Sequence, residues 1–201
     1  MTKEDLLDDL HPARRSAPTR PGTDEYFMGI AIAVRERANC QGSRVGAVLV
    51  LQDRVVAAGY NGTPEGMPNC DEGGCERCEN RGKKYESGTY YDVCICVHAE
   101  QNALLSAARF GIPVEGAVMY TTTRPCFGCA KELLTAKVTK VYYLHEWSHP
   151  RADLQDEYNR LLDTFPEGVV QLPGVHDERE DWARGRSGVV PTDTGHFAGG
   201  S

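Results

Sequence analysis

The sequence predicts an α/β domain of three layers, in which a mixed five-stranded sheet is covered by helices on both faces. Three observations predict it. Short apolar runs rich in Val alternate with longer amphipathic stretches along residues 23–173. The first two runs are joined only by Gln52-Asp53, a hairpin reversal, whereas the later runs are separated by helical segments, as parallel strands require. A chain of 201 residues holds one such domain with polar ends and is too short for two comfortable ones.

Residues 1–22 are polar and carry Pro12, Pro18 and Pro21, which reads as a flexible N-terminal arm. Thr23 is the expected N-cap of a first helix. Asp24 and Glu25 in its first turn suit the helix dipole, and its apolar run continues to about Ala38. VGAVLVL (45–51) and RVVAAGY (54–60) form the hairpin. Residues 61–91 then break into Gly, Pro, Asn, Asp and Cys, an insertion long enough to call for a function or a clamp. HAEQNALLSAAR (98–109) is built of strong helix formers and stops at Gly111. AVMYTTT (117–123) is a strand, 127–137 a helix, KVYYL (140–144) a strand, 152–165 a helix and GVVQLP (168–173) the last strand. Residues 174–201 lack periodicity and end in Gly and Ser, so they are expected to form a disordered tail.

The charge balance is 22 Lys+Arg against 29 Asp+Glu, a net −7, which disfavours a generic nucleic-acid binder and leaves room for one small anionic ligand. The N-terminal stretch has no apolar segment of signal-peptide length, and no window approaches a membrane span of about 20 apolar residues. A cytoplasmic protein with no membrane partner is expected. There thiols stay reduced, so eight cysteines point to metal ligands or catalysis rather than disulfides.

His98-Ala99-Glu100 and Pro125-Cys126-Phe127-Gly128-Cys129 carry the chemistry. One imidazole and two thiolates give zinc three ligands, with the fourth position left for water, as in catalytic sites. Both motifs open helices that follow strands of one direction, so they meet at one edge of the sheet. There the dipole and the unpaired N–H groups favour the thiolates. Glu100 is superfluous as a ligand and sits two residues from His98, within reach of a zinc-bound water. This HxE…PCxxC pattern is the signature of zinc nucleobase deaminases. In that chemistry zinc lowers the pKa of its water. Glu100 moves the water proton to the ring nitrogen and then to the departing ammonia.

VGAVLV, GYNG (59–62), HAEQNALL and MYTTTRPCFGCAKELLTAKVTKVYY together resemble the deoxycytidylate (dCMP) deaminases of the cytidine-deaminase-like superfamily, over roughly residues 24–147. The resemblance implies conversion of dCMP to dUMP with ammonia release. It also implies a homohexamer activated by dCTP and inhibited by dTTP, catalytic zinc on His98, Cys126 and Cys129, and Asn61 near the bound nucleotide. A deaminase of another cytosine nucleotide, CMP or a modified dCMP, is the alternative within this chemistry. A zinc-stabilised interaction module without catalysis is the alternative outside it, and Glu100 argues against that module.

Some members of the resembled family carry a second, structural zinc near the insertion after GYNG. Cys40, Cys70, Cys78 and Cys96 are the preferred ligands, with Cys75 and Cys94 as alternates. Six candidates exceed one tetrahedral site, so either two are free or a second clamp exists. A phosphate calls for guanidinium groups, and Arg44 and Arg124 stand near the expected site. Arg109, at the end of the catalytic helix, better suits a subunit or effector contact. His145 and His149 around Trp147 read as surface or capping residues.

Overall fold

The computed structural model describes residues 20–85, 90 and 93–184. Gln52 and Asp53 take left-handed backbone angles, φ 52° and 57°, the two-residue turn that matches the twist of a hairpin. That turn folds β1 (Gly46–Leu51) antiparallel onto β2 (Arg54–Tyr60), with Gly46 opposite Tyr60 and Leu51 opposite Arg54. On its other side β1 pairs antiparallel with β3 (Val118–Thr123). Two parallel neighbours follow, β4 (Lys140–His145) and β5 (Val169–Gln171), giving the order β2-β1-β3-β4-β5. Because β2 and β3 both oppose β1, they run the same way and end at the same edge.

The side chains of β1 alternate between the layers. Val48 and Val50 face α1 (Thr23–Arg35), packing with Phe27, Met28, Ala31 and Tyr120. Ala47 and Leu49 face the opposite layer. After the short α2 (Glu76–Glu79) of the insertion, that layer consists of α3 (Ala99–Arg109), α4 (Phe127–Thr135) and α5 (Gln155–Leu162). Two glycines set the approach of helix to sheet. A Cβ on Gly46 would lie 2.2 Å from the Ala31 carbonyl of α1, and one on Gly59 would lie 2.2 Å from the Ala99 carbonyl of α3.

Several boundaries differ from expectation. Gly22, extended at φ −61° and ψ 160°, is the residue before α1, and no side chain caps it, so Thr23 is the first helical residue rather than its cap. The helix closes at Arg35, where Ala38 N–H turns back onto the Arg35 carbonyl at 2.8 Å. Lys137, left-handed at φ 63°, lies beyond the end of α4 at Thr135. The segment expected as one helix over 152–165 begins as a 3-10 turn, Ala152–Leu154, before α5.

The tail boundary is also corrected, because residues 174–184 return to the domain. The Arg35 guanidinium is wholly buried and donates to both Asp177 carboxylate oxygens, at 2.7 and 2.5 Å. His145 Nε2 lies 2.6 Å from the same carboxylate. Burial opposes charge on Asp177, but these hydrogen bonds hold its carboxyl well below the usual range. The Trp182 ring, in α6 (Asp181–Arg184), meets the guanidinium groups of Arg35, Arg44 and Arg179 at 5.6, 4.5 and 4.4 Å. The physical reason is that a buried guanidinium needs a counter-charge, and the chain delivers it from far along the sequence. Residues 1–19 of the expected arm and 185–201 of the expected tail lie outside the described residues. Among the described residues no helix is long and apolar enough to cross a membrane.

Candidate active site and metal centres

The common edge at which β2 and β3 end is where two helices start. His98 is the N-cap of α3 and Cys126 the N-cap of α4, with Cys129 in the first turn of α4. His98 N–H donates to Gln101 Oε1 at 3.0 Å, and Gln101 Nε2 donates to Glu132 Oε1 at 2.9 Å, tying the start of α3 to the second turn of α4. His98 Nδ1 stands 3.3 Å from Cys126 Sγ and 3.4 Å from Cys129 Sγ. A tetrahedral zinc with bonds of about 2.1 Å to nitrogen and 2.3 Å to sulfur sets such ligand atoms about 3.5 Å apart, so the donor set fits the ion in both chemistry and spacing.

Without the ion these groups share protons. The Cys126 thiol is drawn down to about 4, first by its hydrogen bond with Cys129 and then, against burial, by His98. Its hydrogen bond in turn lifts His98 to about 9. Cys129 is pushed well up by Cys126 and by burial. Glu100 is buried one helical step beyond the ligand and accepts a hydrogen bond from Thr121 Oγ1 of β3 at 3.2 Å. Desolvation raises its carboxyl, the direction that suits a group that must both take and give a proton.

A cleft opens in front of this set, lined by His98, Glu100, Asn61, Arg124, Thr123 and Trp147 among others. The space among its walls, open solvent at its mouth included, is about 730 Å³. Arg124 sits at its wall, 3.3 Å from Glu146, over the rings of Tyr143 and Tyr158. Arg124 Nε and Thr123 Oγ1 are buried and find no hydrogen-bond partner among the described residues. The Asn61 amide is clamped by the backbone, accepting from Val45 N–H and donating to the Ser43 carbonyl, each at 2.8 Å. Arg44 lies elsewhere, on the Trp182 ring, with its own N–H on the Trp182 carbonyl at 3.0 Å. Arg109 is exposed at the far end of α3, 3.7 Å from Glu65. His149 packs edge-on against Phe127 and Trp147, and His145 serves Asp177.

Sequence reasoning missed Arg77 and Arg81, which also line the cleft. Their signal was weak: Arg77 stands between the cysteines of a CxxC inside the insertion, where a guanidinium reads as solvated. It also missed Thr121, whose role depends on a strand-to-helix contact across the core.

Beside the cleft the insertion gathers six sulfurs. Cys40 comes from the loop after α1, Cys70 from a 3-10 turn (Cys70–Glu72), Cys75 and Cys78 from around α2, and Cys94 and Cys96 from the segment leading into α3. Two groups of four have all their sulfurs within 4.8 Å of one another: Cys40, Cys70, Cys78 and Cys96, and Cys75, Cys78, Cys94 and Cys96. The first group is the preferred ligand set from the sequence, and the second contains both alternates.

Comparison with known proteins agrees with this geometry. The family model described as the cytidine and deoxycytidylate deaminase zinc-binding region matches residues 21–145. A deoxycytidylate deaminase of Schizosaccharomyces pombe is 44% identical over 156 residues, covering 78% of this chain and 43% of that protein. One from Mycobacterium phage D29 is 39% identical over 135 residues, covering 64% of this chain and 98% of that protein. The chain thus spans under half the length of the fission-yeast relative and nearly all of the phage one. Among solved structures, the dCMP deaminase of cyanophage S-TIM5 in complex with dCMP and dUMP is similar, with a TM-score of 0.58 and 29% identity over 77% of this chain and 99% of that one. The family match runs from the approach to α1 through the end of β4 and takes in both helix starts that carry the ligand set, so the chain belongs to the cytidine and deoxycytidylate deaminase family.

Proposed function

We propose that the protein deaminates dCMP to dUMP, releasing ammonia. The observation that carries this reading is Glu100: a carboxylate buried on the ligand-bearing turn of α3 and lining the cleft, where a purely structural zinc site has no use for one. His98, Cys126 and Cys129 would hold a zinc ion, whose chemistry when bound would be to activate water at neutral pH. Glu100 accepts a proton from that water and passes it to the ring nitrogen. It then takes the proton of the newly bonded hydroxyl and delivers it to the amino group, so that the carbonyl forms as the carbon–nitrogen bond breaks and ammonia leaves. Thr121 fixes the carboxylate during these transfers. Arg124, with an unpartnered Nε at the cleft wall, meets the 5′-phosphate. Asn61, which has one N–H and one lone pair beyond its backbone clamp, contacts the nucleotide.

The same reading assigns structural zinc to the cysteine cluster. It also assigns a cytoplasmic location and a homohexamer that responds to dCTP and dTTP, with Arg109 at a subunit or effector contact. Leu105 and Phe110, 60% and 69% exposed on and just after α3, offer apolar surface for such an assembly. Ammonia release from the zinc-loaded protein, measured against dCMP, CMP, dCTP, deoxycytidine and adenine-containing RNA, tests the proposal. Turnover is expected to be fastest on dCMP. Faster turnover of CMP would move the assignment to the ribonucleotide, and release from none of the five would overturn it.

A further inference from the structure

We propose that the six cysteines outside the active site bind two zinc ions as one dinuclear cluster, with Cys78 and Cys96 bridging the ions. Cys40 and Cys70 are the terminal ligands of one ion, and Cys75 and Cys94 those of the other. This deepens the reading of the cluster as structural zinc given above.

The two groups of four sulfurs share two members, Cys78 and Cys96, and no cysteine of the six is left over. Six ligands in two quartets with a common pair describe two tetrahedra that share an edge. The separations agree. Zinc–thiolate bonds of about 2.3 Å give a tetrahedral S···S edge of about 3.8 Å. The sulfurs of Cys40 and Cys78 lie 3.9 Å apart, those of Cys75 and Cys94 3.9 Å, and those of Cys78 and Cys94 3.8 Å. A single ion on the first quartet would leave Cys75 and Cys94 without a metal, yet they hold the same spacing to each other, and Cys94 holds it to Cys78. These distances also exclude disulfides, whose sulfurs lie about 2.05 Å apart.

Charge and packing point the same way. Six thiolates around two dications carry a net of −2. Arg77, buried between Cys75 and Cys78, and Arg81, whose Nη1 lies 2.9 Å from where a Gly42 Cβ would be, bring positive charge to this cluster. Gln41 N–H points at Cys70 Sγ and Gly42 N–H at Cys40 Sγ, each at 3.4 Å, the kind of donor that stabilises a metal-bound thiolate. The buried cluster in this part of the molecule is made of Cys40, Cys70, Cys75, Cys78 and Cys96, with Cys94 packed against it, so metal binding takes the place of an apolar core there.

Metal content of the full chain, by elemental analysis and native mass spectrometry, tests the proposal. Three zinc ions per chain are expected, falling to two in His98→Ala. The double variant C75S/C94S is also expected to hold two. After cadmium-113 substitution, the two cluster ions should give resonances split by coupling through the shared sulfurs. Two ions in the unmutated chain, one of them lost in His98→Ala, would overturn the dinuclear cluster while leaving the catalytic zinc intact. A count unchanged by His98→Ala would strike the catalytic reading instead. Should C75S/C94S fail to fold, the count and the cadmium coupling in the unmutated chain decide the matter, and uncoupled cadmium resonances would overturn the bridge.

Discussion

Thr121 Oγ1 lies 3.2 Å from Glu100 Oε1 and also 3.2 Å from the Thr123 carbonyl, so its one proton is shared between the buried carboxylate and the backbone of β3. A donor in this place favours an ionised carboxylate, while desolvation raises the Glu100 carboxyl. Thr121→Val removes the donor and keeps the shape. Losing a hydrogen bond to a charged group costs about 1.5–3 kcal/mol, so kcat is expected to fall by about tenfold or more. The base form of Glu100 exists above its pKa, and that pKa rises in the variant, so the acid limb of the pH–rate profile should move to higher pH. Glu100→Gln should lower kcat by about 10²- to 10⁴-fold with zinc content unchanged.

Arg124 and Arg44 separate two kinds of arginine. Arg124→Ala is expected to raise KM for dCMP about tenfold or more, with a much smaller effect on deoxycytidine, because a charged hydrogen bond to phosphate is lost. Arg44→Ala, which disturbs the Trp182 contact, should change both substrates alike. Steady-state kinetics on the two substrates check both expectations.

Catalytic zinc affinity should depend steeply on pH. In the metal-free site His98 is raised to about 9 and Cys129 lies well above its usual value, so both carry protons that the ion must displace. Cys126, drawn down to about 4, is already a thiolate. Affinity should therefore drop by up to about a hundredfold for each pH unit lowered below 9, two protons being displaced. Competition against a chromophoric chelator between pH 6 and 9 measures the slope.

Asp177→Ala should destabilise the domain by about 3–5 kcal/mol, because it leaves the Arg35 guanidinium buried and unpaired. Urea unfolding at pH 7 reads the loss. The Asp177 carboxyl is depressed in the folded state, so its contribution is fully present above the ordinary Asp range near pH 4 and is lost as pH falls through its folded value. Asp177→Asn should remove that part of the acid sensitivity.

Gly59→Ala tests the seat of α3. The added methyl would lie 2.2 Å from the Ala99 carbonyl and 2.4 Å from Ala103 N. The backbone cannot yield cheaply there, so α3 must shift and carry His98 and Glu100 with it. Overpacking of this kind costs about 1–3 kcal/mol, and both zinc retention and kcat should drop.

The grouping of His98, Cys126 and Cys129 beside Glu100 was legible because its grammar is local. His98 and Glu100 share one helical turn, Cys126 and Cys129 another, and the strand pattern alone places both turns at one edge. The sheet was legible because VGAVLVL and RVVAAGY are apolar runs of strand length joined by two residues, although nothing in that continuous run says which layer Val48 or Leu49 serves. Arg77 was hidden because nothing nearby in sequence distinguishes a buried guanidinium from a solvated one. Asp177 was hidden more deeply: its partner lies 142 positions away, and ERED beside it reads as a solvated charge run. Arg44 misled in the opposite sense, as proximity to the first strand suggested the cleft while the Trp182 ring draws its side chain elsewhere.

The 142-residue span between Arg35 and Asp177 also has a meaning in time. A chain leaving the ribosome presents Arg35 early, while its counter-ion is still many codons from being made. Until Asp177 emerges, that guanidinium has water as its best partner, and α1 has reason not to settle on the sheet. Synthesis runs at about 5–20 residues per second, so the wait lasts on the order of ten seconds. A nascent chain halted just after the last strand should keep a loosely seated first helix, the state that quality-control proteases recognise, although His98, Cys126 and Cys129 have all been made.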